Sequence, residues 1–306
     1  MFSNINLNDC TLCPRHCHID RYTGGNGICR MDARLNVASI CIHRGEEPVI
    51  GGKDGICNIF FAGCNLRCVF CQNHEISQPI RRNKSFENDA RKILDEVAGI
   101  LDSGVTSVGF VSPSHMVPQM MDIISGINRM GYKPVIVYNT NGYDKAETIK
   151  NLEGIVDVYL PDFKYVSTDL SLKYSGVKDY PEHALKALKE MYFQKGSSLL
   201  ADENGKAESG LLIRHLVLPG HSEESKKVLM TIADELSTGV NVSLMSQYHP
   251  MHKAGMFENL GRSLYKSEYD EVVNYMHELG FRKGWVQDMD SNRNYLPDFS
   301  KENPFE

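Results

Sequence analysis

The sequence predicts an α/β fold built on a parallel sheet, with a small metal-binding cap ahead of it. Two observations carry this. From Cys57 onward, apolar strand-length runs alternate with helix-length segments. Before that point the chain is glycine-rich, shows little periodicity, and holds Cys10, Cys13, Cys17, Cys29 and Cys41. The 306 residues, 42% hydrophobic and 24% charged, suffice for one large domain with an appendage.

The expected strands are Ile56–Ala62, Ser107–Val111, Pro134–Tyr138, Val156–Leu160, Leu211–Leu218 and Asn241–Met245, rich in Val, Ile, Leu, Phe and Tyr. The expected helices are Glu87–Asp102, Val117–Met130, Lys145–Leu152, Glu182–Gln194, Glu223–Leu236 and Ser267–Leu279. Most open near Ser, Asn or Asp and close near Gly. Six β-then-α units in series imply parallel strands joined by crossovers. Periodicity alone fits both a six-strand partial barrel and an open doubly wound sheet. In either, chemistry belongs at the C-terminal ends of the strands. The polar, glycine-bounded stretch Gly196–Gly210 reads as a surface loop, and 288–306 as a loosely packed tail or flap. The division is thus a cap over 1–50, the α/β body over 51–287, and the tail.

A net charge of −6 argues against a phosphate-binding nucleic-acid protein. The short run Arg81, Arg82, Lys84 reads as a solvated loop. Met1–Asn8 has no apolar core or basic leader, and no apolar run reaches the roughly 18 residues that span a bilayer. A cytoplasmic, reducing location is therefore expected. All nine cysteines lie at or before Cys71. Clustering of that kind in a reducing compartment points to metal or redox chemistry rather than disulfides.

The central motif follows the first expected strand: Phe60-Phe61-Ala62-Gly63-Cys64-Asn65-Leu66-Arg67-Cys68-Val69-Phe70-Cys71-Gln72-Asn73. Its C-x-x-x-C-x-x-C spacing puts three thiols on one tight loop. Three thiolates bind three corners of a [4Fe–4S] cube and leave the fourth iron open to a substrate. A closed structural zinc site needs a fourth ligand; no cysteine follows Cys71, and His74 is a weak candidate. Phe70 is placed to pack against an adenine.

This loop resembles the signature of the radical S-adenosylmethionine (SAM) superfamily. The rest of the chain looks like the branch containing the pyruvate formate-lyase activating enzyme, and most like relatives with an extra N-terminal Cys-rich region. The resemblance rests on Cys64–Asn73, Asn139-Thr140-Asn141-Gly142, Asp162-Phe163-Lys164, Arg214 through Gly220, and Gln247-Tyr248-His249. It implies a partial (β/α)6 barrel and a [4Fe–4S] cluster on Cys64, Cys68 and Cys71. It also implies a flavodoxin or ferredoxin as electron donor, and SAM cleavage to a 5′-deoxyadenosyl radical that abstracts hydrogen. The substrate is a glycyl residue of a partner enzyme or, alternatively, a peptide or small metabolite. A non-catalytic iron–sulfur protein is the rival from another class, and it would need every cluster fully ligated.

Alternation puts Asp162 and Lys164 on one face; the resemblance places both in the SAM site, with Arg214 and His249. Asn139 stands where the branch usually has an Asp that helps hold a monovalent cation, which puts that cation site in doubt. The SAM amino group usually meets a Gly-Gly-Glu stretch; here the sequence is Val111-Ser112-Pro113-Ser114-His115, leaving Ser112 and Ser114 as acceptors. Thr140 and Asn141 complete the candidate set, and His115 is a weak candidate acid or base. His215 faces away from Arg214 and reads as structural. Cys10-x-x-Cys13-x-x-x-Cys17 with Cys29 gives four thiolates, the count for structural zinc or a closed auxiliary [4Fe–4S] cluster, with glycines 24, 25 and 27 letting the chain fold back. An electron path to the catalytic loop favours the cluster. Cys41 and Cys57 read as free buried thiols.

Overall fold

The computed structural model describes residues 6–24, 27–78, 86–289, 296–301 and 303–306. Gly25, Arg81, Arg82 and Lys84 lie outside the described residues. Nine strands form one sheet: β1 Val37–His43, β2 Ile56–Phe61, β3 Ser107–Val111, β4 Val135–Thr140, β5 Val158–Pro161, β6 Leu200–Ala201, β7 Ala207–Leu216, β8 Asn241–Met245 and β9 Gly284–Val286. Helices α1 Pro48–Gly51, α2 His74–Ser77, α3 Ala90–Asp102, α4 Val117–Arg129, α5 Ala146–Lys150, α6 Thr168–Ser175, α7 Tyr180–Lys195, α8 Ser222–Glu235 and α9 Lys266–Glu278 fill the connections.

The strand order β1-β2-β3-β4-β5-β7-β8-β9 resolves the choice that periodicity left open. The wall steps one way along the chain, and every neighbouring pair in this order from β2 to β9 is parallel, β6 lying off it. A doubly wound sheet would reverse direction at a switch point; a barrel wall does not. The strands are covered on both faces, as crossover helices require: all residues of β2, β5 and β8 are buried. Helix α3 shows the local logic. The Asp89 side chain accepts from the backbone of Arg91 and Lys92, while Ile93, Val97 and Ala98 turn inward.

Several sequence expectations are corrected. β1 pairs antiparallel with β2, so the second half of the 1–50 segment belongs to the sheet. The Gly196–Gly210 stretch contains a hairpin, β6 against the start of β7. Edge strand β9 extends the wall beyond six strands. In the tail, Phe299 and Phe305 pack on Phe60 with ring centroids 5.4 and 6.0 Å away, and Phe305 lies 4.0 Å from His43.

His215 is structural, as expected. It is buried on β7, its Nδ1 2.7 Å from the Phe163 carbonyl and its Nε2 2.9 Å from Ser225 Oγ on α8. Burial pushes it down from 6.5 to about 4. A depressed folded-state value means stability that is complete above pH 6.5 and lost as the pH falls through 4. The loss should amount to roughly 3 kcal/mol. Urea unfolding at several pH values checks this: His215→Gln should be less stable at pH 7 yet lose less stability between pH 6.5 and 4.

Candidate functional site

The C-terminal ends of the strands open on a cleft of about 470 Å³. Cys64, Cys68, Phe70 and Cys71 line it, together with Ser112, Asn139, Thr140, Asn141, Asp162, Lys164, Arg214 and His249, delivered by six successive strand ends.

The cysteine loop has no regular structure of its own, and neighbouring strand ends position it. Arg67 N donates to Ser175 O at 3.0 Å and Val69 N to Tyr174 O at 2.8 Å, both at the end of α6. Each thiol has at least one polar partner: Asn141 Nδ2 and Leu66 N donate to Cys64 Sγ at 3.3 and 3.4 Å, and Ser175 and Ser77 hydroxyls lie 3.1 Å from Cys68 and Cys71 Sγ. Three thiols lining one cleft, Cys64 and Cys68 buried and Cys71 half-buried, each with a hydrogen-bond partner, fit the three-cornered ligation of a cubic cluster. Burial pushes Cys64 up to about 11 and Cys71 up to about 12. The thiols therefore stay protonated at neutral pH until a cation displaces the protons.

Asn141 also donates to Asn65 Oδ1 at 2.9 Å, tying the β4 end to the cysteine loop. At Gly142, φ is +82°, and a Cβ would stand 2.2 Å from Asp162 O, so glycine is required there. Asp162 and Lys164 form a mostly buried ion pair. Burial pulls Lys164 down, but Asp162 beside it more than offsets this, and its value lies above the ordinary one. Ser112 adopts left-handed backbone, φ 50°, at the cleft wall.

Three expected residues stand differently. Ser114 is buried off the cleft, 3.1 Å from Thr140 Oγ1. The Thr140 hydroxyl in turn donates to Asp144 at 2.5 Å. His115 is also buried off the cleft, its Nε2 2.8 Å from Ala62 O, and it borders the cap instead. Arg214 lines the cleft but is held by Glu46 and Glu47. Sequence reasoning missed both glutamates because they sit between β1 and α1, neither of which was expected. It also missed Tyr180, whose hydroxyl meets Asn141 O, Asp162 O and Lys164 N at 2.9–3.0 Å and locks two strand ends together.

In the cap, Cys10, Cys13, Cys17 and Cys29 surround one small buried pocket. Burial pushes Cys13 up to about 12 and raises Cys29. Among the described residues, no three His, Cys, Asp or Glu side chains are disposed to hold a single metal ion. Cys41 and Cys57 are buried free thiols.

A parallel barrel wall with three thiols at its C-terminal mouth defines a cluster-binding barrel of the kind that hosts cofactor chemistry. The sequence pattern of the radical SAM superfamily matches residues 58–231. The chain belongs to that superfamily, and membership implies a [4Fe–4S] cluster and SAM as cofactors. The chain is 29% identical over 270 residues to the uncharacterized protein MJ0674 of Methanocaldococcus jannaschii, covering 87% of this chain and 73% of that one. Its fold is similar to SAM-bound SuiB of Streptococcus suis (TM-score 0.50, 13% identity, 80% of this chain and 55% of that one). It is similarly like the FeFe-hydrogenase maturase HydG of Carboxydothermus hydrogenoformans (0.50, 14%, 78% and 55%). The chain thus spans about half the length of these structures. Among the described residues, no helix is long and apolar enough to cross a membrane.

In the metal-free chain at pH 8, the raised thiol values should slow alkylation of Cys64 by iodoacetamide about a hundredfold against an ordinary cysteine. Mass spectrometry of the alkylated peptide gives the rate, and a rate matching free cysteine would mean the loop is open. For the cap, replacing Cys10, Cys13, Cys17 and Cys29 with Ala should lower stability and remove bound iron or zinc, while the loop of Cys64, Cys68 and Cys71, which touches the cap at Gly63, keeps part of its iron. Elemental analysis that finds neither metal lost would leave the cap without a metal.

Proposed function

We propose that this chain is an oxidoreductase that cleaves SAM reductively and takes a hydrogen atom from a substrate held in the same cleft. The observation that supports it most is the convergence of Cys64, Cys68 and Cys71 with Asp162, Lys164 and Asn141 on one buried cleft. When bound, the reduced cluster supplies the electron that splits SAM into methionine and a 5′-deoxyadenosyl radical, which removes the substrate hydrogen.

The chain's own residues bind, orient and exclude water. Lys164 offers donors to the methionine carboxylate, and Asp162 accepts from ribose hydroxyls. Phe70, packed 6.0 Å from Tyr248, gives an apolar wall for the adenine, with His249 beside it. Ser112 and Asn139 offer polar groups to the SAM amino group. With Arg214 engaged by two glutamates, Lys164 is the cation left for the SAM carboxylate. The four cap thiols, grouped around one pocket, hold an auxiliary cluster. Resemblance to the pyruvate formate-lyase activating branch makes a glycyl residue of a partner enzyme the first substrate class, and a peptide or small metabolite the second. Flavodoxin or ferredoxin is the reductant.

Anaerobically reconstituted protein with dithionite and SAM should yield 5′-deoxyadenosine and methionine, read by chromatography. The Cys64→Ala, Cys68→Ala, Cys71→Ala triple variant should yield none, and retained product would end this reading. Lys164→Ala should weaken SAM binding roughly ten- to a hundredfold with iron content unchanged.

A further inference from the structure

The cleft has an end that the cofactor chemistry leaves unused. The turn between β1 and α1 places Glu46 and Glu47 against the inside of the wall. Glu46 accepts from Asn58 Nδ2 at 2.9 Å. Asn58 lies three residues before the end of β2, so this end sits roughly 10 Å along the strand from the start of the cysteine loop. Glu47 accepts from Arg214 Nε at 2.8 Å, and the Arg214 Nη2 meets both carboxylates. All three side chains line the cleft, only 8–12% exposed.

One guanidinium cannot neutralise two carboxylates. Burial pushes Glu46 up, yet the Arg214 guanidinium and the hydrogen bond from Asn58 hold it below the ordinary carboxylate range, so it is ionised. The cluster keeps a negative charge where little water can solvate it, and such a charge calls for a partner. The rest of the described wall supplies none. Lys164 is paired with Asp162, and Asp288 adds a further carboxylate, so four carboxylates, Glu46, Glu47, Asp162 and Asp288, share the cleft with the two fixed cations Lys164 and Arg214 and the imidazoles of His43 and His249. A second observation is independent of the charges. His43 lines the same cleft, is 7% exposed, and its buried Nδ1 has no hydrogen-bond partner.

We infer that Glu46, Glu47 and His43 form the docking end for a cationic group, a primary ammonium or a guanidinium, on the substrate whose hydrogen is removed nearer the cysteine loop. The inference rests on the hydrogen-abstraction reading above. A cation of either kind carries several donors, enough for both carboxylates and the imidazole nitrogen, and charge-assisted bonds of this sort fix one end of a molecule while its other end reacts.

Trp285 is the chain's only tryptophan and lines the cleft, so its emission reports on binding there. The cluster-loaded chain with SAM is titrated with N-acetyl-lysine methylamide, butylammonium and uncharged N-acetyl-norleucine methylamide. The cationic probes should bind at least tenfold more tightly than the norleucine probe. Glu47→Gln should weaken them about tenfold with SAM affinity unchanged. Should Glu47→Gln fail to fold, Arg214→Met removes the competing internal cation and should tighten cationic probes. Tighter binding of the lysine derivative than of butylammonium assigns a basic side chain, and the reverse a free amine. Equal binding of the norleucine probe, SAM affinity falling together with probe affinity in Glu47→Gln, or no tightening in Arg214→Met would each overturn the inference. 5′-Deoxyadenosine is measured in the same preparation: its absence overturns the parent reading, and probe binding then shows that the failure lies in the chemistry and not in the docking end.

Discussion

The constraint on which this structure depends is that an irregular loop carrying three thiols is largely buried. Such a loop cannot satisfy its own backbone, and a buried unpaired amide or carbonyl costs as much as a lost hydrogen bond. The surrounding elements exist in the form needed to meet that demand. Ala62 N bonds to Asn36 O ahead of β1, Gly63 N to Ile76 O on α2, Arg67 and Val69 to the end of α6, and Val69 O accepts from Lys253 N beyond β8. The loop is thus pinned from four separate parts of the chain, which fixes the backbone that carries its thiols.

This explains which parts of the fold the sequence made legible. β3 and β8 were readable to the residue, because each is a short apolar run bounded by polar turns and buried on both faces. The elements that escaped are the ones whose shape is set by the loop or by a neighbour. Helix α6, Thr168–Ser175, has a weak apolar face, and its definition comes from the Ser167 cap and the positive φ of Gly176. β1 alternates buried and half-buried residues irregularly and pairs with a bulge, so neither period announces it. β6 is two exposed residues, visible only through its partner.

The site shows the same division. Residues at strand ends could be named from sequence because alternation fixes their face. What alternation cannot give is the partner. Arg214 had to be paired inside an apolar strand, as the cost of a buried charge demands, but its partners come from 167 and 168 residues away in sequence. Ser114 and His115 failed for a related reason: the 3₁₀ turn Pro113–His115 follows left-handed Ser112 and sends the next side chains off the cleft.

The cap is joined to the catalytic loop rather than appended to it. Arg15 Nε donates to Asn65 O at 2.6 Å, one residue past the first cluster thiol, and Arg21 Nη1 donates to His115 O at 2.7 Å. A Cβ on Gly63 would fall 2.3 Å from Cys29 O, so the backbone of a cap cysteine lies directly against the residue before Cys64. Contact this close makes the two cysteine sets one mechanical unit. The position of Cys29 therefore constrains, through Gly63, where the loop carrying Cys64 begins.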